Sequence, residues 1–509
     1  MQYSPTDAVE ERRVVAAAPP RFIAANAVSG VRVDALVILI AVSFVLRLTL
    51  AACVPLTADE AYAVVVSRSH SLSYYDHPPM MFALARLMAD ISGHESPFVM
   101  RLPFVAMGTA SIWLLYDLTR RAFGRGAALW AASAFSLSPF FLTFGQVLIV
   151  PDGPLDFGLL LCFWFIQPRL AGTDPAAWRW PAAGLALGFA LLSKYQAVLF
   201  AVAALSALAL DPRWRNEFRC PAFWAAQALA IACLCPVLVW NAQHDWISFA
   251  FQMGRSYQAA GMATHLTGLL SVLAGQILYL LPFTWAGAHG GIFRALSGRS
   301  GSQAWLMANL AIWPILIFDI VALFGHHALA HWAMSGFLFA LPLVGKARAQ
   351  KPSGAAGARL VLAASAIPLV VLLLSLQALS GDLSIFGRPL PDLGRFNVDW
   401  TGLESAIPDD GLPVVASDWV TAGRAGIALG TRHPVTVASD PHHFKYMTDL
   451  KIGARAYFVT SSPGRWDVSA QSSGIPNAYG VLGQPLQVVQ RHGAATTFRI
   501  TIARVVRNE

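Results

Sequence analysis

The sequence predicts an all-α polytopic membrane domain followed by a small α/β domain on one face of the membrane. Three observations carry that reading. Of 509 residues, 56% are hydrophobic and 13% charged, against about 25% charged in an average soluble protein. Mean hydropathy is +0.54. Long apolar runs recur as far as residue 380, and beyond Gly381 the chain turns polar. So little charge cannot solvate a globular surface, which excludes a soluble enzyme, a disordered scaffold and a nucleic-acid-binding protein. The net charge of +8 is distributed by topology instead.

Residues 1–34 are polar, are interrupted by Pro19 and Pro20, and lack the apolar core of a secretory signal. They are expected to form a cytoplasmic tail. The run Ala35 to Val54 is long enough to cross a bilayer and reads as a signal-anchor. Further apolar runs lie near 101–119, 126–149, 153–168, 180–193, 197–210, 222–240, 268–285, 304–323, 332–345 and 360–380, giving about eleven expected transmembrane helices over 35–380. With the N-terminus placed inside, eighteen Lys and Arg fall in cytoplasmic segments. Only Arg68, Arg86, Arg101, Lys194 and Arg255 fall outside before residue 381. That asymmetry predicts N-in, C-out. The five cysteines, Cys53, Cys162, Cys220, Cys233 and Cys235, have neither redox nor zinc-ribbon spacing and read as free thiols.

Residues 381–509 contain short β-branched runs at Val414–Ala416, Val435–Val437, Tyr457–Thr460 and Thr496–Val506. A helix is expected from Trp419 to Leu429, capped by Ser417 or Asp418. This is the expected extracytoplasmic α/β domain.

The first external loop, 55–100, holds most of the candidate chemistry. It carries Asp59-Glu60-Ala61-Tyr62, then Tyr74-Tyr75-Asp76-His77-Pro78-Pro79, with two short helices expected at 58–67 and 79–91 lying in the interface. Thr57 and Glu60 have capping-box spacing, which gives Glu60 a structural role beside a possible one in the substrate pocket. Asp59 is left as the candidate general base for a hydroxyl. Asp76 reads either as the cap of the second helix or, with His77, as a ligand or metal contact.

A second acidic pair, Asp152 and Asp156, shares one helix face by its i, i+4 spacing. Asp156 lies one turn into an apolar segment, where ionisable groups face a cavity or a partner. Lys194 sits at an external end that the charge rule disfavours; it either snorkels to headgroups or contacts a phosphate. The loop Trp240–Trp246 is a weaker candidate for a polar site. His326, His327 and His331 cluster in one short loop, and the spacing of His327 and His331 suits a metal, with Asp319 as a further carboxylate.

The ordered set D-E-A-Y, Y-Y-D-H-P-P, R-L-P, P-D-x-P-L, L-L-S-K-Y and W-N-A-Q-H-D-W resembles the polyprenyl-phosphate-sugar-dependent glycosyltransferases. These include the lipid A aminoarabinose transferases and, more distantly, the protein O-mannosyltransferases. The resemblance covers about residues 35–345. It implies a GT-C fold, a lipid-linked sugar donor and a site at the outer leaflet of a bacterial inner membrane, with the C-terminal domain periplasmic. Residue by residue it implies that Asp59 is the catalytic acid of the first loop, Asp76 a metal-site carboxylate, Asp152 a second catalytic acidic position and Lys194 a donor-phosphate contact. His77 and Arg255 are further candidate phosphate contacts, and Glu60, Tyr62, Tyr75, Asp76, Asp156 and His331 are candidate pocket residues. A divalent metal, if bound, would be held by Asp76, His327 and His331. His77 stands where the aminoarabinose enzymes carry lysine.

The function expected is transfer of a sugar from polyprenyl phosphate to an extracytoplasmic hydroxyl. The acceptor would be lipid A, lipopolysaccharide core, another glycolipid or a protein; the partners are this donor, this acceptor and membrane lipids, and no nucleic acid. Two rivals stand beside it: a secondary transporter or lipid flippase with an external sensor domain, and a catalytically silent relative.

Overall fold

The computed structural model describes residues 34–254, 261–298, 301–324, 328–350, 384–385, 388–389, 400–439, 442–463, 475–492 and 496–508. Over its described residues the membrane domain is helical: α1 (Ala35–Cys53), α2 (Ala58–Ser67), α3 (Met80–Ser92), α4 (Pro97–Phe123), α5 (Arg125–Leu137), α6 (Pro139–Leu142), α7 (Asp152–Leu170) and α8 (Arg179–Ser193). There follow α9 (Ala197–Leu210), α10 (Pro221–Cys233), α11 (Cys235–Gln243), α12 (Ile247–Gly254), α13 (Met262–Leu280), α14 (Pro282–Leu296), α15 (Ser302–Phe324) and α16 (Met334–Ala349).

By length and composition, α1, α4, α13 and α15 can each cross a bilayer, and the pair α10–α11, bent by 40°, makes a fifth. Among the described residues the expected eleven are not confirmed. The run 360–380 lies outside the described residues. Prolines divide two others: Pro139 follows α5, after which 143–151 is turn, and Pro282 begins α14 after Leu281, whose φ is +68°. Hydropathy saw each as one continuous run, because proline and a turn of apolar residues leave the average nearly unchanged.

Aromatic and small residues fill the membrane domain's core, with Phe135, Phe141, Phe163 and Phe339 fully buried or nearly so. Val37, Val42 and Val45 of α1 are exposed, as expected of a face toward lipid. All five cysteines are free, and Cys53 and Cys235 are exposed.

In the C-terminal region β1 (Ser384–Ile385) pairs antiparallel with β2 (Arg388–Pro389). A six-stranded sheet is built from β3 (Val414–Ala416), β4 (Val435–Val437), β5 (Arg455–Pro463), β6 (Tyr479–Val481), β7 (Leu486–His492) and β8 (Thr496–Arg507). Its order is β4-β3-β5-β8-β6, with β7 also paired to β8. Strand β3 runs parallel to β4 and β5, in register Val414 to Val435 and Val414 to Tyr457; β8 is antiparallel to β5, β6 and β7. The crossover between β3 and β4 is the helix Trp419–Leu429, whose cap is Asp418, accepting from Thr421 N. These elements match the expected strands and helix.

Loop and sheet share one core. Tyr62, Val64 and Phe82 from the first loop pack with Leu403, Val414, Ala425 and Phe444. This shared core fixes what stands over the loop.

Candidate active site

The site begins with a scaffold. Thr57 and Glu60 form a complete capping box at the start of α2. Glu60 also receives Arg101 Nε at 2.7 Å and Nη2 at 2.6 Å, and Ile149 N at 3.0 Å. The remaining Arg101 donors go to the carbonyls of Ala51, Val54 and Pro55. Both side chains are fully buried. Burial pushes the Glu60 carboxyl up, but the charge and hydrogen bonds of Arg101 outweigh it and hold the group below its ordinary value. Glu60 therefore does not line a pocket: its oxygens are occupied by four donors, and the pair pins α1, α2, α4 and the turn before α7.

Asp59, one residue earlier, is exposed, and among the described residues no other residue donates a hydrogen bond to its carboxylate. Desolvation, then the charges of Glu60 and Asp76, raise its carboxyl above the ordinary value, against the pull of Arg424. An open carboxylate of raised proton affinity is a competent acceptor for a hydroxyl proton.

Tyr62 is buried one turn along α2 and donates its hydroxyl to Asp76 Oδ1 at 3.0 Å. Asp76 does not cap α3, whose cap position is Pro79 with no side-chain bond. The Asp76 carbonyl accepts from Gln252 Nε2 at 2.6 Å, so α12 holds the loop from below. His77 Nε2 lies 3.9 Å from Asp76 Oδ2. Tyr75 packs on Phe251 and His442 and donates its amide to His443 Nδ1 at 3.3 Å. That amide fixes Nδ1 as an acceptor, so Nε2 carries the proton, facing Ser69 Oγ at 3.3 Å. Burial lowers the His443 ring to about 4.

Asp152 opens α7, and Lys194 ends α8. They meet as a buried pair, Nζ to Oδ1 at 2.8 Å. The next turn brings Asp156, 1% exposed, with Oδ2 lacking any hydrogen-bond partner. His331, in the 3-10 turn Ala330–Ala333, stacks on Phe140, and His331 and His77 both lie close enough to Asp152 for their charges to act on it. The structure thus links Asp59, Asp76, His77, Asp152, Lys194 and His331 in one polar region, with Tyr62, Tyr75 and Asp156 along it.

Other expected residues fall elsewhere. Arg255 and His327, with His326, lie outside the described residues. Asp319 accepts from Gln276 Nε2 at 2.7 Å rather than binding a histidine. The loop Trp240–Trp246 braces the wall: Trp240 stacks on His244 and on His443, and Asn241 takes the amide of Ser248. Among the described residues no three His, Cys, Asp or Glu side chains gather to hold a metal, and Asp76 spends one oxygen on Tyr62. His327, one of the three expected ligands, lies outside the described residues.

Sequence reasoning missed four contributors. Arg101 was visible in R-L-P but given no role. His442 and His443 were passed over. Arg424 is the one charged residue in the helix W-V-T-A-G-R-A-G-I-A-L, and that oddity was its available signal.

Comparison with known proteins bears on the fold and the kind of protein. The model of the dolichyl-phosphate-mannose-protein mannosyltransferase family matches residues 76–240. The lipid A galacturonosyltransferase RgtD of Rhizobium johnstonii is 27% identical over 287 residues, 55% of this chain and 58% of that protein. The chain thus spans somewhat over half the length of that relative. ArnT from Cupriavidus metallidurans bound to undecaprenyl phosphate superposes with a TM-score of 0.63, covering 92% of this chain and 97% of that one at 14% identity; its apo state gives 0.62. The fold is that of ArnT. The family match and the relative agree with the resemblance that the sequence motifs carry.

Proposed function

We propose that this protein transfers one sugar from a polyprenyl phosphate to a hydroxyl of an extracytoplasmic glycolipid, with lipid A as the acceptor favoured by the named relative. One observation carries the reading. Asp59 is an open carboxylate of raised proton affinity, set on a helix start that the sealed Glu60–Arg101 pair immobilises and linked through Asp76 and His77 to the Asp152–Lys194 pair.

The acceptor oxygen attacks the anomeric carbon, and its proton passes to Asp59. The bond from that carbon to the phosphate oxygen breaks, and its electron pair leaves with the polyprenyl phosphate. Inversion follows from attack opposite the leaving group. Lys194 gives one of its three N–H donors to Asp152; the other two can meet the departing phosphate. Stabilising charge that develops in this way is often the largest contribution to catalysis.

The transporter reading has less support, because these ionisable groups form one linked region and not a series along a membrane path. The test is release of polyprenyl phosphate by purified protein in lipid, over a panel of polyprenyl-phosphate sugars with membrane extract as acceptor. Asp59→Asn should lower turnover by about 10²- to 10⁴-fold with donor binding retained. Full turnover in that variant would refute the role of Asp59. Solute flux in proteoliposomes without donor consumption would favour the transporter.

A further inference from the structure

Two buried arginines flank the start of α2, and they differ in one respect. Arg101 has every guanidinium nitrogen engaged, by Glu60 and by three carbonyls. Arg424, from the helix Trp419–Leu429, is 8% exposed, yet no hydrogen bond engages its guanidinium among the described residues, and its Nη2 is sealed from water without a partner. It lies close enough to Asp59 and Glu60 to feel both charges. Glu60 has no oxygen to spare, and Asp59 does not bond it.

A guanidinium offers five donors and no acceptor, and leaving a buried one unengaged is costly. The shared core holds it there: Gly423, the preceding residue, abuts the backbone of Tyr62. The fold therefore delivers a cation with empty donors from the C-terminal domain to the neighbourhood of the candidate base.

We infer that Arg424 binds an anionic oxygen group of the substrate, a carboxylate or a phosphate, beside Asp59. This deepens the reading above by giving the substrate's charge. The carboxylate would belong to an acidic sugar and the phosphate to a phosphorylated lipid. Both suit the planar fork of arginine, which takes such groups through two parallel hydrogen bonds. A neutral or amino sugar alone would leave the guanidinium unmatched. The C-terminal domain thereby becomes part of the substrate site.

The experiment uses the full chain in nanodiscs, wild type beside Arg424→Gln and Arg424→Lys, titrated separately with galacturonate, inorganic phosphate and galactose. Binding is read as apparent Kd from the shift in thermal midpoint. Arg424→Gln should weaken the favoured anion by about 10- to 100-fold, as expected for hydrogen bonds to a charged group, and leave galactose unchanged. Arg424→Lys keeps the charge without the fork and should recover part of the affinity; it also serves if the glutamine variant fails to fold. Loss confined to galacturonate assigns a sugar carboxylate, and loss confined to phosphate assigns a phosphate group. If both variants bind both anions as the wild type does, or if the wild type binds neither, the inference is overturned. Polyprenyl phosphate titrated in parallel tests the donor reading separately, since its binding can fail or hold whatever the free anions do.

Discussion

Gly423 in the C-terminal domain lies against the backbone of Tyr62 in the first loop: a Cβ at position 423 would stand 2.8 Å from the Tyr62 amide nitrogen. One turn on, a Cβ at Gly426 would stand 2.7 Å from Val65 Cγ2. Two backbones this close leave no room for a side chain. Arg68 closes the same contact, donating to the carbonyls of Gly430 and Gly426 and pairing with Glu95 at 2.6 Å. The helix that carries Arg424 is thus clamped to the helix that carries Asp59.

Gly423→Ala should accordingly loosen the two units. A backbone atom cannot yield as a flexible side chain can, and overpacking of this kind costs about 1–3 kcal/mol. The expected outcome is a lower thermal midpoint and faster hydrogen exchange over 58–67 and 419–429, with the rest of the membrane domain unchanged. Unaltered exchange in both helices would mean that the contact is not tight in solution.

Glu60 and Asp59 are neighbours in sequence with opposite fates, and substitution should separate them. Glu60→Ala leaves Arg101 a buried, uncompensated cation, which costs about 3–5 kcal/mol, so folded yield should fall sharply. Asp59→Asn removes a group that no other described residue bonds and should leave the stability within about 1 kcal/mol of the wild type. The check is a pair of unfolding curves at one lipid composition. Equal losses would refute the division into scaffold and base.

How far the sequence revealed this arrangement follows from the range of its signals. The capping box of Thr57 and Glu60 is local, and reading it correctly required only four residues. The strand at Val414–Ala416 and the helix Trp419–Leu429 were likewise legible, because β-branched runs and an Asp cap act within a few positions. The Arg101 bond to Glu60 spans 41 residues, and Arg68 reaches Gly430 across 362; no periodicity encodes such meetings. Hydropathy averages into single runs what Pro139 and Pro282 divide into separate helices. Arg424 shows the gap most clearly. Its oddity was visible in the sequence, but what it faces depends on two domains sharing a core.

Lys194 and Asp152 meet inside protein at 8% and 6% exposure, with Asp156 a turn away. Lys194→Met should leave two buried carboxyl groups without a cation and lower stability by about 3–5 kcal/mol. Adding Asp152→Leu should recover much of that stability, since replacing both partners of a buried pair by apolar groups is often close to neutral. Sugar transfer should not return with it, because the phosphate contact is gone. Unfolding curves and polyprenyl phosphate release on the single and double variants test this together. Transfer restored in the double variant would show that Lys194 serves only the fold.

His443 gives this region a dependence on acid. Its ring is buried among Tyr74, Trp240 and Tyr446 and receives the Tyr75 amide, so the neutral form is the one that fits. Desolvation lowers it to about 4, with His244 acting in the same direction and Asp76 in the opposite one. The unfolded segment takes up its proton near 6.5, and the folded ring resists until about 4. Between those values the unfolded state holds more protons, so stability falls as pH falls, and above 6.5 this group contributes no slope. The full difference is about 3 kcal/mol. Asp59, whose carboxyl is raised, acts in the opposite sense at the acid end. The informative quantity is therefore the difference between wild type and His443→Phe, which keeps the aromatic packing and cannot take up a proton. Hydrogen-exchange protection over 442–446, corrected for the intrinsic pH dependence of amide exchange, should fall between pH 6.5 and 5 in the wild type and stay flat in the variant, and parallel curves would place the titrating group elsewhere.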